Sequence, residues 1–338
     1  MDNKIKSTWP LIGNNHIVEF LKKSIVNNKA AGSYIFSGPD NLGKTTIANF
    51  FAQSLICLAR SNKGEPCNKC QPCQQAIRGI YGDIHLIKKD KDKKNISIEQ
   101  IRSFIRTISL SSFLNSYKIG IIKHAEDLSL EAFNALLKTL EEPKSKVIII
   151  LITSCIESLP LTIVSRSQIL KFFPLSADII YDYLIKYHQA QRSVAKNFSK
   201  LCLGRAALAV KFLEDKDFYE NYKKKVEVFL SFMDVDINKR ILAVEELIGK
   251  EMRGQESVRL ATRAVEVWQG LARDLLLILL EQDDLTQHQM FMKEFYSIKS
   301  KLDINSLIKL INLLRQAREF IKANVSPRLA LEQVAISF

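Results

Sequence analysis

Short apolar runs alternate with amphipathic stretches in the first half of the chain. Each run has the length and the β-branched or aromatic content of a strand buried on both faces. The predicted strands cover residues 33–37, 83–87, 118–122 and 147–152. Between them, apolar positions recur every three to four residues, which predicts helices over residues 14–28, from the loop at Gly38 to Ala59, over 98–108, and from a Ser129 cap to Pro143. Strands that alternate with helices indicate an α/β domain with a parallel sheet.

The pattern changes after Pro174, and no further strand is predicted. A small helical unit is expected over residues 181–188 and 194–213. Further helices are predicted over residues 222–234, 237–250, 255–281, 287–299, 304–322 and 328–336. The predicted order is an α/β domain (1–174), a small helical domain (175–217) and a larger helical domain (218–338).

Composition narrows the class of protein. Apolar residues make up 47% of the 338 residues, and 49 Lys and Arg against 36 Asp and Glu give a net charge of +13. Such a surplus favours contact with nucleic acid, although lysines solvated all over the surface would give the same number. The longest apolar runs, 147–152 and 275–280, are far short of the roughly 20 residues that cross a bilayer. With no signal-peptide pattern at the start, we expect a soluble, cytoplasmic protein without a membrane partner.

A phosphate-binding loop follows the first predicted strand. The stretch "GPDNLGKTT", residues 38–46, fits the pattern G-x-x-x-x-G-K-[ST]. Gly38 and Gly43 let the backbone direct several amide groups at one phosphate, and Lys44 reaches the terminal phosphates. Thr45 would offer its hydroxyl to Mg²⁺, and Thr46 completes the predicted nucleotide-binding residues of the loop. A strand before the loop and a helix after it are the context that this chemistry needs. We therefore predict a nucleotide-binding fold, with ATP or ADP and Mg²⁺ as candidate ligands.

The strand predicted at 118–122 ends without the acids that hydrolysis requires. One acid at this position holds Mg²⁺ and another orients the attacking water. Lys123 and His124 stand there instead, and a lysine does not hold Mg²⁺. Glu126 and Asp127 follow three and four residues later. They either take over this task or are early-helix acids near the positive end of a helix dipole, and we favour the second interpretation.

Four of the six cysteines form a cluster with metal-site spacing. Cys57, Cys67, Cys70 and Cys73 fit C-x9-C-x2-C-x2-C. Four thiolates satisfy tetrahedral Zn²⁺ without an open position, so we predict a structural zinc module over residues 57–73. An iron–sulfur cluster is the alternative, although its fourth cysteine usually follows the other three closely. Cys155 and Cys202 are predicted to be small buried side chains.

These motifs together resemble one family, the bacterial clamp-loader subunits of DNA polymerase III, which are AAA+ proteins. The P-loop helix is followed directly by the cysteine module, and further similarity lies in "FNALLKTLEEP" (133–143), "IVSRSQILKF" (163–172), "WQGLARDLL" (268–276) and "NVSPRLALE" (324–332). The resemblance implies an AAA+ P-loop domain, a helical lid and an all-α collar for oligomerisation. In its length and in the absence of acids after the strand at 118–122, the chain resembles the non-motor, delta-prime type of subunit rather than the gamma/tau ATPases.

The resemblance also implies roles for single residues and partners. Arg166, in Ser165-Arg166-Ser167, matches the arginine finger that the delta-prime type presents to the ATP of the adjacent gamma subunit, although the family has Cys where Ser167 stands. Thr153 matches the sensor threonine, and Arg205 lies about a residue away from the second sensor arginine. The implied partners are gamma/tau and delta subunits in a hetero-pentamer, the sliding clamp and primed DNA. A gamma/tau-like ATPase and a generic DNA-binding zinc protein are the alternatives.

Overall fold

The computed structural model describes residues 9–90, 93, 95–110, 117–142, 146–249, 254–323 and 325–338. The chain divides into two compact units. The first comprises the chain up to Leu175 together with Arg205–Ala207, and the second comprises Ser176–Gly204 and Leu208–Phe338. None of the described helices combines the length and the apolar character that a membrane span requires.

In the residues that the structure describes, the first unit is an α/β domain with five strands. The strands are β1 (Ser33–Ser37), β2 (Ile84–Ile87), β3 (Lys118–Lys123), β4 (Val147–Thr153) and β5 (Gln168–Lys171). The helices are α1 (Asn15–Val26), α2 (Lys44–Ile56), α3 (Gln71–Ile77), α4 (Ile98–Ser109), α5 (Leu130–Glu141) and α6 (Leu161–Val164). As predicted, Ser129 caps α5, because its hydroxyl accepts a hydrogen bond from the amide of Ala132 (3.2 Å).

The strands form one parallel sheet in the order β2-β3-β4-β1-β5. Every residue of β1 and β4 is buried, which agrees with the apolar residues at 34–36 and 147–152. Helices α1 and α2 cover one face of the sheet, and α4 and α5 cover the other. Ser37 pairs with Thr153 and Lys123 pairs with Ile152. The carboxyl ends of β1, β3 and β4 therefore meet at one edge, the edge at which open α/β sheets bind ligands.

The described part of the second unit is helical. Its helices are α7 (Ala177–His188), α8 (Arg192–Leu201), α9 (Ala206–Glu214, of which the first two residues belong to the first unit), α10 (Lys216–Ser231), α11 (Ile237–Ile248), α12 (Gln255–Leu279), α13 (Met292–Lys299), α14 (Ile304–Lys322) and α15 (Pro327–Ile336). Trp268 of α12 is fully buried against Phe229 and Phe232, and its indole N–H donates to the carbonyl of Lys225 (2.9 Å). Helix α14 buries one apolar face, which consists of Leu307, Leu310, Leu314, Ala317 and Ile321.

A buried contact between Asp274 and His288 fixes the irregular segment between α12 and α13. The carboxylate of Asp274 accepts hydrogen bonds from the backbone amides of Gln287 (2.9 Å) and His288 (2.8 Å) and lies 2.7 Å from Nδ1 of His288. The other ring nitrogen of His288 is 2.6 Å from the hydroxyl of Tyr222 in α10. Asp274 and His288 are fully buried. The carboxylate of Asp274 thus provides hydrogen-bond acceptors for the amides of Gln287 and His288, which lie outside the helices.

Several predicted boundaries were wrong. The short edge strand β5, which pairs with β1 alone, was not predicted, and neither were α3 and α6. The helix expected over 194–213 is broken between α8 and α9, where Leu203 and Gly204 have φ of 49° and 79°. Helix α10 begins at Lys216 rather than at 222, and α13 begins at Met292 rather than at 287. Pro143 lies outside the described residues, and the three-domain division stays a prediction.

Candidate functional site

The loop between β1 and α2 has the backbone of a phosphate-binding loop. Gly38 and Gly43 have φ of 142° and 89°, values that glycine adopts readily. A Cβ on Gly38 would lie 2.4 Å from the carbonyl oxygen of Phe172, so a larger residue does not fit there. Helix α2 begins at Lys44, directly after the loop. Its free amide groups and the positive end of its dipole are thus directed at the loop, as phosphate binding requires.

The ammonium group of Lys44 lies against its own loop. The side chain is 4% exposed, and Nζ donates hydrogen bonds to the carbonyl oxygens of Gly38 and of Pro39 (2.8 Å). Asp40 places a carboxylate oxygen 3.6 Å from Nζ. Burial lowers the pKa of Lys44, and the charge of Asp40 opposes this shift. Lys44 therefore lies within the loop, at the position from which it would contact a bound phosphate.

The three predicted threonines differ in their surroundings. Thr45 is half-buried and Thr46 is exposed, both in the first turn of α2. Thr153 is fully buried at the end of β4, and its hydroxyl donates to the carbonyl of Cys155 (2.9 Å) and accepts from the amide of Cys155 (3.1 Å). Cys155 is exposed, so the prediction that it is buried was wrong, whereas Cys202 is buried as predicted.

Two basic side chains stand at the carboxyl end of β3. Lys123 is the last residue of the strand, and burial lowers its pKa, with Lys88 acting in the same direction. His124 follows with φ of 51°. The carboxylate of Glu126, 3.8 Å from Nδ1, raises the pKa of His124 above its usual value, against the effect of burial. The end of β3 thus carries two basic residues where a hydrolase needs acids.

The two later acids contact different partners. Both lie in a 3-10 turn, Ala125–Asp127, before α5 rather than in that helix. One oxygen of Glu126 accepts hydrogen bonds from the amide (3.1 Å) and the hydroxyl (2.5 Å) of Ser154, directly after β4. Burial raises the pKa of Glu126, but hydrogen bonds with His124 and Ser154 outweigh it and give a pKa of about 2. Asp127 pairs with Lys89 at 2.9 Å. Of the two acids, Glu126 is therefore the one near the P-loop, and its negative charge raises the pKa of Lys44.

Arg205 belongs to a segment that contacts the P-loop. Arg205–Ala207 are part of the first unit, and the amide of Ala207 donates to the carbonyl oxygen of Asn41 (3.1 Å). Spacing along the sequence left the role of Arg205 open, because the break at Gly204 that directs the chain to the loop was not predicted. The structure thus adds the start of α9 to the surroundings of the candidate nucleotide site.

Arg166 lies on the surface in the turn between α6 and β5. Its side chain is 38% exposed and pairs with Glu141, the last residue of α5, at 2.8 Å. The guanidinium also donates to the carbonyl of Thr162 (3.0 Å) and contacts the hydroxyl of Ser165 (3.4 Å). Within the described part of the chain, none of these contacts involves the P-loop. Arg166 is therefore separate from the chain's own nucleotide site and accessible to another molecule.

Ser167, directly after Arg166, has hydrogen-bond partners of its own. Its hydroxyl donates to the carbonyl of Ile163 (3.0 Å) and lies 2.7 Å from the hydroxyl of Ser33 in β1. These contacts fix the turn that carries Arg166 to the edge of the sheet. None of these contacts involves the guanidinium of Arg166.

The four clustered cysteines converge on one point. Their sulfur atoms all lie within 4.8 Å of one another, and those of Cys57 and Cys70 are 4.0 Å apart. The backbone amides of Cys67 and Cys70 donate to the sulfurs of Cys57 (3.2 Å) and Cys67 (3.3 Å). Four thiolates at ~2.3 Å from Zn²⁺ would lie ~3.8 Å apart, so a modest contraction closes the site. The donor set and its geometry thus fit a closed zinc site, with Cys57 at the end of α2 and Cys73 in α3.

Comparison with known proteins identifies related sequences. A family model described as DNA polymerase III, delta subunit, matches residues 13–176. The tau subunit of Bacillus subtilis DNA polymerase III is 34% identical over 197 residues, which are 58% of this chain and 34% of that protein. The delta' subunit of the same organism is 31% identical over 216 residues, or 63% of each chain. The similarity thus spans about a third of the first relative and less than two thirds of the second.

A solved structure shares the fold. A DNA polymerase III gamma subunit-related protein from Thermotoga maritima superposes with a TM-score of 0.53 at 18% identity, over 94% of this chain and 97% of that one. This likeness shows the fold, while the matched family model and the sequence relatives point to one group of proteins. Over residues 13–176, the chain is therefore similar to subunits of DNA polymerase III.

Proposed function

We propose that this chain is a delta'-like subunit of a clamp loader that does not itself hydrolyse ATP. It assembles with gamma/tau and delta subunits into a hetero-pentamer, and the complex places a sliding clamp on primed DNA. The similarity to the B. subtilis delta' subunit and the fold shared with a gamma subunit-related protein support this role. The net charge of +13 suits a complex that works on DNA.

One observation carries the proposal: a complete P-loop lies beside a strand end without acids. Phosphoryl transfer needs a metal ion held near the terminal phosphates and a group that orients the water. Lys123 ends β3 and His124 follows it, and neither side chain performs the task of a metal-holding carboxylate. Gly38, Gly43, Lys44 and Thr45 can still bind ATP or ADP, so binding and hydrolysis are separated in this chain.

In this proposal, Arg166 contributes to ATP hydrolysis by the complex, because it contacts the nucleotide that is bound to an adjacent subunit. A guanidinium contacts phosphate oxygens through two parallel hydrogen bonds and stabilises the charge that develops during transfer. Arg166 is partly exposed and its contacts lie away from the chain's own P-loop, as an arginine finger in trans requires. The four cysteines contribute a structural Zn²⁺ that folds residues 57–73 and takes no part in catalysis.

Glu126 favours a second candidate, a gamma/tau-like ATPase. Its carboxylate reaches the P-loop edge by way of Ser154, and the tau subunit is as similar in sequence as the delta' subunit. If Glu126 holds the metal ion, the chain turns over ATP. One oxygen of Glu126 accepts two hydrogen bonds from Ser154, while the other is buried without a hydrogen-bond partner among the described residues. The basic residues Lys123 and His124 at the end of β3 are what favour the first candidate.

Steady-state ATPase assays of the purified chain separate the two candidates. We expect no turnover by the chain alone or with primed DNA and clamp. Turnover that DNA and clamp stimulate, and that Glu126→Gln abolishes while Asp127→Asn does not, would establish the gamma/tau-like function instead. Asp127 is a suitable control, because it is the adjacent acid and pairs with Lys89.

A further inference from the structure

The ion pair between Arg166 and Glu141 joins two elements of the first unit. Glu141 ends α5, and Arg166 lies between α6 and β5. Their charged atoms are 2.8 Å apart, and Thr162 accepts a further hydrogen bond from the same guanidinium at 3.0 Å. One terminal nitrogen contacts Glu141 and the other contacts Thr162, so the plane of the guanidinium is fixed.

The position of Glu141 does not stabilise its own helix, α5. The carboxyl end of a helix carries partial negative charge, which disfavours acidic side chains in the last turn. Glu141 and Glu142 both stand at that end of α5, and Glu141 is 47% exposed. Helix stability therefore gives no reason for an acid at 141, whereas the contact with Arg166 does.

We propose that Glu141 is a positioning residue for Arg166. This inference rests on the proposed function, in which Arg166 contacts the nucleotide of an adjacent subunit. A free arginine has many rotamers, and ordering it on contact with phosphate costs conformational entropy. Glu141 and the carbonyl of Thr162 restrict these rotamers beforehand and leave Nε and part of both terminal nitrogens for phosphate. An exposed ion pair is too weak to sequester the guanidinium from a polyanionic nucleotide.

The test is ATP turnover by the complex reconstituted from this chain and its partner subunits. Glu141→Ala is expected to lower kcat by about two- to five-fold, the range for loss of an exposed ion pair, while KM for ATP stays the same. Glu141→Gln keeps the shape and one acceptor and is expected to give a smaller loss. Glu142→Ala is the matched control, because it removes the neighbouring acid at the same helix end, and it should leave turnover unchanged.

A double variant distinguishes positioning from a general structural effect. In the Arg166→Ala background, Glu141→Ala should cause no further loss, because the group that it positions is gone. A further loss in that background, an equal loss in Glu142→Ala, or a gain of turnover in Glu141→Ala would overturn the inference. If Arg166→Ala lowers turnover and neither Glu141 variant does, the inference fails and the proposed function stands. If Arg166→Ala itself has no effect, the proposed function fails.

Discussion

The carboxylate of Glu126 connects the end of β3 to the end of β4 through Ser154. Its oxygen accepts hydrogen bonds from the Ser154 amide at 3.1 Å and from the hydroxyl at 2.5 Å. The same carboxylate lies 3.8 Å from Nδ1 of His124. At this edge of the sheet, the carboxylate therefore comes from Glu126, three residues after the end of β3, and not from the strand itself.

The pKa of His124 tests this contact. Glu126 raises the pKa of His124 above 6.5, so Glu126→Gln should lower it towards that value in an NMR titration. A raised pKa means that the stabilisation is present below pH 6.5 and is lost as the pH rises through the pKa of the folded protein. The lowered pKa of Glu126 has the opposite sign, because its stabilisation is present above pH 4.5 and is lost as the pH falls towards about 2. A His124 pKa that Glu126→Gln leaves unchanged would refute the contact.

Gly38 should be the more sensitive of two glycines with positive φ. Alanine at Gly38 would bring Cβ within 2.4 Å of a backbone oxygen, whereas at Gly79, with φ of 72°, it would meet nothing within 4 Å. We expect Gly38→Ala to lower the free energy of unfolding in urea by about 1–3 kcal/mol more than Gly79→Ala does. Equal losses would show that the close approach to Phe172 is relieved without cost.

The cysteine cluster makes a prediction about metal content. The purified chain should contain one Zn²⁺ per molecule by mass spectrometry, and Cys73→Ser should lose it and lower the Tm. Cys73 is fully buried within the cluster, so its replacement removes one ligand of a closed site. Cys155→Ser is the control, because Cys155 lies outside the cluster and is exposed. Iron in place of zinc, or no metal at all, would contradict the assignment.

Periodicity predicted the elements that are long or wholly buried. The strands β1 and β4 and the helix α14 were found because burial on both faces, or on one face, leaves a regular apolar pattern. The edge strand β5 has a single buried residue, Leu170, and so leaves no such pattern. The break at Gly204 was missed because the apolar spacing continues from α8 into α9.

The parts of the candidate site also differ in how far the sequence predicted them. The P-loop and the cysteines are contiguous motifs whose spacing carries the chemistry, and the structure brings each set together. The contact between Glu126 and Ser154 joins residues 28 positions apart, and that between Glu141 and Arg166 joins two elements. Such pairs depend on strand order and on the direction of side chains, which one sequence does not specify.

ATP turnover by the reconstituted complex, measured with Arg166→Ala and with Lys44→Ala in this chain, tests the central claim most directly. If the chain serves a neighbour's nucleotide and hydrolyses none itself, Arg166→Ala lowers turnover several-fold or more, since an arginine finger in trans has a large effect on phosphoryl transfer. Lys44→Ala then leaves turnover close to that of the unmodified complex. The reverse pattern, with turnover dependent on Lys44 and indifferent to Arg166, would contradict the claim.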